Sequence, residues 1–250
     1  MSSNVMLLSR ISFYTLLVLL LSSCDKNYKD STPSTADLAN SSIVQVYIAT
    51  VNASRNLFFV DGVPQSASLM SSGSFFPSTG SYGAAIPGGL RSFAIRDTSS
   101  TSTQLPLNFA QNLATASHYT VFAYDTITAP KQKTVNTNIT VPSDASCRIR
   151  FANFAYNGNA ITPSIDIVSV GKNEIVANNV RYTDVTNFIT HPSLLAGEGF
   201  QVRESGTSNI LATVSSVSLE PKRSYTIVYR GSHRATSGTS TRAVSVFVNY

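Results

Sequence analysis

The chain has no tryptophan, two cysteines and three histidines, and only 12% of its residues are charged. Each scarcity excludes something. Cys24 ends an apolar run and Cys147 lies far downstream, so neither a disulfide framework nor a CxxC-type or Cys/His metal site is indicated. His118, His191 and His233 come without a GxSxG elbow and read as edge or loop residues, which leaves no hydrolytic triad. The 13 acidic residues are scattered, with neither a calcium-type DxDxDG ladder nor a glycosidase pair. Gly88-Gly89 lacks the GxxxxGK pattern of a phosphate loop. The expectation is a non-enzyme without cofactor or metal.

Positive charge is in mild excess, 18 Lys and Arg giving a net +5, but it is spread along the chain. Phosphate neutralisation needs several cations in register, so nucleic acid is excluded as a partner. The apolar run Ile11 to Leu21 is too short to cross a membrane: as a helix it rises about 16 Å, against a hydrocarbon core of about 30 Å. No long helical period occurs elsewhere.

Serine, threonine and asparagine supply the polarity instead, beside 42% hydrophobic residues rich in β-branched and aromatic types. That mixture suits short strands joined by small polar turns. In CRIRF, Cys147, Ile149 and Phe151 alternate with Arg148 and Arg150, so the thiol reads as a small apolar residue on the inward face of a strand.

The amino terminus has a charged start at Arg10, a short apolar segment and small residues at its end, the pattern of a secretory signal. Leu21-Ser22-Ser23-Cys24 resembles the bacterial lipobox. The resemblance implies a signal peptide over 1–23, cleavage before Cys24, a diacylglycerol on its thiol and an acylated new amine. Several acyl chains, at about 0.8 kcal/mol per buried CH₂, anchor far better than one. Residues 24–42, DKNYKDSTPSTADLANSS after the cysteine, then read as a flexible tether. Asp25, Lys26, Lys29 and Asp30 loosely resemble charged sorting signals of Gram-negative lipoproteins. The implied location is the outer membrane of the cell envelope, on its periplasmic or its surface-exposed side.

From Ile43 the chain repeats itself. IVQVYIATVNAS (Ile43 to Ser54) corresponds to CRIRFANFAYNG (Cys147 to Gly158), and LFFVDGVP to SIDIVSVGKNEIV. Asp61-Gly62 predicts a tight hairpin, with Gly171 and Asn173 as the looser counterpart. An aromatic pair recurs at one spacing, Phe76 with Tyr82 and Tyr182 with Phe188, before the Gly-containing corners IPGG and LLAGEG. ASHYTVFAYD then matches KRSYTIVYRG, with Tyr119 and Tyr225 in equivalent places. Two units of short strands, 43–141 and 145–250, predict two tandem immunoglobulin-like β-sandwiches in an all-β protein. The connector VPSD at Val141 to Asp144 is short, so end-to-end packing is expected.

These residues together resemble the domain-of-unknown-function family 4397: a strand like IRFANFA, a hairpin such as FFVDGVP, the paired aromatics, the PGG or AGE corner and HYTVFAYD. The resemblance covers both units, departing at Ile189 to Leu195, where about three residues are inserted. It implies bacterial secreted proteins and lipoproteins with tandem immunoglobulin-like sandwiches, and lends no catalytic residues.

A sandwich presents loops at its ends, and here the candidate binding loops are 68–83, 97–104 and 231–242. The repeated aromatics read as core, leaving Phe75, without an aromatic counterpart, as the ring expected to face a ligand. The leading expectation is a non-enzymatic, lipid-anchored envelope protein serving adhesion, assembly or scaffolding through a protein partner. The alternative is a glycan-binding surface lipoprotein of a polysaccharide uptake system, for which 11 tyrosines stand in for the missing tryptophan. Oligomeric state has no signature in the sequence.

Overall fold

A computed structural model describes residues 38–78, 82–158 and 160–250. The expected signal segment, Cys24 and the expected tether as far as residue 37 lie outside the described residues. Among the described residues the regular elements are all strands, and the two units repeat one topology.

In the first unit an inner sheet has the order β4 (Phe75–Phe76), β1 (Ser41–Ile48), β8 (His118–Thr126), β9 (Ala129–Asn136), with β5 (Ala84–Pro87) also on β1. An outer sheet follows the order β3 (Val63–Pro64), β2 (Asn56–Val60), β6 (Gly89–Asp97), β7 (Leu107–Leu113). The second unit matches it with an inner sheet of β13 (Ile189–His191), β10 (Cys147–Asn153), β16 (Ser224–Arg230) and β17 (Ala243–Val248). Its outer sheet is β12 (Glu174–Val180), β11 (Ile165–Ser169), β14 (Leu194–Glu204) and β15 (Ile210–Leu219). In both inner sheets the first strand pairs in parallel with the penultimate one, β1 with β8 and β10 with β16. Sequence pattern does not reveal this pairing.

Local chemistry explains the turns and corners. Asp61 and Gly62 take φ 49° and 80° between Val60 and Val63, forming the expected two-residue hairpin. In the second unit Asn173, not Gly171, adopts the positive φ, at 51°. Tyr119 and Tyr225 do occupy equivalent places: each hydroxyl accepts a hydrogen bond from the backbone five residues upstream, from Ala114 N at 3.0 Å and Glu220 N at 2.8 Å. This is the tyrosine corner of immunoglobulin-like sandwiches.

Each sandwich has its own core. Val44, Val46 and Ile48 of β1 pack with Phe58, Phe93 and Val121, while Cys147, Ile149 and Phe151 of β10 pack with Ile165, Phe200 and Ile227. The expected inward thiol is therefore found, and burial pushes Cys147 up to about 11, making it inert at neutral pH.

The inner strands are also buried on their other face. Tyr47, Phe122, Phe154, Val228 and Phe247 form a third apolar cluster between the two inner sheets. Its rings lie close, Phe122 and Phe154 at 4.7 Å and Tyr47 and Phe247 at 5.3 Å. Gly73, at φ +91°, makes room at this seam, since a Cβ there would sit 2.5 Å from the Arg230 guanidinium. The units therefore pack face to face, not end to end. The reason lies in the connector: β9 ends at Asn136 and β10 begins at Cys147, so residues 137–146 join them, with enough chain for the second sandwich to fold back.

The histidines are less exposed than expected. His191 is buried beside Phe200 and His233 is buried against Tyr229, whose hydroxyl lies 3.1 Å from its Nδ1; His118 is half-buried on the central strand β8. Burial lowers His118 and His233 below the ordinary 6.5, with Arg242 adding to the effect at His233.

Two predictions follow from these contacts. Tyr119→Phe and Tyr225→Phe should each cost about 1 kcal/mol in urea unfolding, and the losses should add because the corners lie in different sandwiches. Since the folded state resists protonation of His118 and His233, stability should be full well above pH 6.5 and decline as pH falls below it. Urea midpoints across that window should flatten in the His118→Gln, His233→Gln double variant.

Candidate functional site

Where the seam reaches the surface it opens into a cavity of about 450 Å³. One wall comes from the first unit, Val135 and Asn136 at the end of β9 with Asn138 and Thr140 of the connector. The other comes from the second unit, Arg148 and Arg150 on β10 with the segment Val185 to Phe188.

Strand alternation places the arginines. On β10, Cys147, Ile149 and Phe151 point into their own sandwich, so Arg148 and Arg150 point away from it, as the sequence indicated. That outer face is the seam. Arg150 is consequently only 3% exposed. Its Nε donates to Thr226 Oγ1 at 2.8 Å, and its Nη2 donates to Thr120 Oγ1 at 3.0 Å and Thr137 Oγ1 at 3.2 Å. Its guanidinium lies 4.7 Å from the centre of the Phe188 ring.

The threonines are held in turn. Thr120 and Thr137 hydroxyls are 2.8 Å apart, and Thr226 donates to Asn249 Oδ1. Asn249 Nδ2 donates to Gln45 Oε1 at 2.7 Å, and Gln45 Nε2 donates to Val248 O at 2.8 Å. This network crosses from one sandwich to the other and sets their register.

Every partner of Arg150 in this network is neutral. Among the described residues no carboxylate pairs with Arg150 or Arg148. Burial pushes the Arg150 guanidinium down to about 9, so it remains charged at neutral pH. Arg148 donates through Nη1 to Thr190 Oγ1, while its Nε is buried without a hydrogen-bond partner. A buried donor left unmade costs about 1–3 kcal/mol, more when charged. Among the described residues the cavity thus has two cations, three asparagines and two threonines in its lining, and no acid, histidine, lysine or cysteine.

The residues singled out in the sequence lie elsewhere. Cys24 is outside the described residues. Phe75, expected to face a ligand from an exposed loop, is half-buried in β4 opposite Tyr47 and stacks on Phe247 at 5.5 Å. Because β4 joins the edge of the inner sheet, its two rings alternate, Phe76 toward Phe58 of its own sandwich and Phe75 into the seam. Tyr82, expected in the core, is the more open ring: it is 38% exposed and lies beside Tyr250, with Arg223 4.9 Å above its centre. Of the candidate loops, 97–104 is closed on itself by Ser99 N and Ser102 Oγ donating to Asp97, and 231–242 packs His233 inward.

A buried cation without a counter-ion is a poor source of stability, because its desolvation is repaid only by hydroxyl dipoles. Arg150→Met should therefore leave the urea-unfolding free energy within about 1 kcal/mol of the parent or raise it, as the threonines keep partners of their own. A loss of more than about 3 kcal/mol would mark Arg150 as a structural residue instead.

No family model matches the chain, that of family 4397 included, and no curated protein matches it. Among solved structures it is similar to one from Bacteroides thetaiotaomicron VPI-5482 described as "putative polysaccharide binding proteins (DUF1812)". The identity is 14% and the TM-score 0.26, over 83% of this chain and 95% of that one. What the chain shares with it is distant, β-rich character.

Proposed function

We propose that this chain is a non-enzymatic binding protein of the bacterial cell envelope, anchored to the outer membrane by lipid on Cys24, that receives its ligand in the seam cavity. The observation that carries the reading is Arg150, buried, charged and without a counter-ion at a cavity lined by both sandwiches. A volume of about 450 Å³ lies within the range of about 300–1,000 Å³ usual for small-ligand sites. Among the described residues the lining holds no acid, histidine, lysine or cysteine, which supports binding over turnover.

Of the two partners weighed from sequence, the concavity favours a glycan over a protein surface. Amide and hydroxyl side chains suit the hydroxyl groups of a sugar, whereas of the candidate loops 97–104 is closed on itself and 231–242 packs His233 inward. The lipobox resemblance at Leu21 to Cys24 supports the anchor. No helix among the described residues is long and apolar enough to cross a membrane.

The anchor and the site are tested separately. Mass spectrometry of the membrane-extracted protein should show an acylated Cys24 at the amino terminus, and Cys24→Ser should move the protein to the soluble fraction. An unmodified chain beginning elsewhere would remove the anchor. On a glycan array, the parent should bind saturably and Val185→Trp, which places an indole in the cavity, should not.

A further inference from the structure

We infer that the seam cavity recognises an acidic saccharide, a sugar bearing a carboxylate or sulfate group that sits between Arg148 and Arg150. The inference rests on the reading that this cavity is the ligand site.

The charge balance comes first. Among the described residues, two guanidinium groups line one cavity and its lining holds no acid. Arg150 is 3% exposed, and the hydrogen bonds it makes among the described residues use Nε and Nη2, going to threonine hydroxyls. Arg148 holds a buried Nε with no partner. An oxyanion between the two guanidinium groups would supply the missing counter-charge through paired N–H···O bonds, which are stronger than those to neutral acceptors.

The rest of the lining selects what carries the anion. Asn136, Asn138 and Asn187 each present a donor and an acceptor together, the combination that reads neighbouring hydroxyl groups. Thr140 and Thr186 add hydroxyls. Apolar surface is limited to Val135, Val185 and Phe188, and Arg150 already covers one face of the Phe188 ring. A peptide carboxylate would bring apolar side chains with little to bury them. A saccharide brings hydroxyls, which match.

The test is isothermal titration of the detergent-extracted full chain with four probes of similar length: oligogalacturonate, a sulfated galactan oligomer, a neutral galactan oligomer and an acidic peptide. One or both acidic oligomers should bind, with the neutral oligomer and the peptide at least about tenfold weaker. Comparing the first two identifies carboxylate or sulfate as the anion. Arg148→Gln and Arg150→Gln should each weaken acidic-oligomer binding at least about tenfold with unchanged urea midpoints. Arg148, half-buried, keeps the test informative if the Arg150 variant unfolds.

Equal affinity for neutral and acidic oligomers, tighter binding of the peptide, failure of both acidic oligomers to bind, or indifference to both arginine substitutions overturns the inference. Val185→Trp separates this from failure of the site itself. If it abolishes whatever binding is seen, the cavity stands and only the acidic class falls. If it leaves binding intact, the cavity reading fails too.

Discussion

Four strands, β1, β8, β10 and β16, are buried on both faces, and the architecture depends on that constraint. A strand in a lone sandwich keeps one face in the core and gives the other to water. Here the second faces meet each other, so the apolar cluster of Tyr47, Phe122, Phe154 and Phe247 does for the pair of sandwiches what each inner core does for one. Polar groups caught in such a layer must find partners within it. The chain of hydrogen bonds from Arg150 through Thr226 and Asn249 to Gln45 supplies them.

The repeat explains why this network is reciprocal. Parallel pairing sets Val44 opposite Tyr119 and Ile149 opposite Tyr225, which makes Gln45 the counterpart of Arg150. Thr120 likewise corresponds to Thr226, and Thr137 to Asn249, since their backbone amides donate to equivalent residues, His118 and Ser224. Each half thus offers one long polar side chain to the other. The symmetry breaks in charge. Gln45 is satisfied by neutral groups on both sides, whereas Arg150 brings a cation to an environment that has no anion among the described residues, at the end of the seam that opens into a cavity.

This register also corrects the alignment read from sequence, which set Ile43 against Cys147. Cys147 points into its own core, as does Val44, so the match is one residue out, and a one-residue slip exchanges the faces of a strand. Sandwich halves, the Asp61-Gly62 hairpin, the paired tyrosines and the inward Cys147 were all legible, because period-two alternation and turn chemistry act within a few residues. The cavity was not. Arg148 and Arg150 were correctly read as facing away from their sandwich, but nothing local says that another sheet lies there.

By itself, the amino-acid sequence determined the all-β class, the duplication, the tight turns and the inward face of CRIRF, since these follow from side-chain size, branching and alternation along a short stretch of chain. Tertiary structure alone decided that residues 137–146 turn the second sandwich back onto the first. Only then does Arg150 lose its water and Phe75 leave the surface. Desolvation depends on what arrives from the far side of a sheet, and that distance is not written in the neighbouring residues.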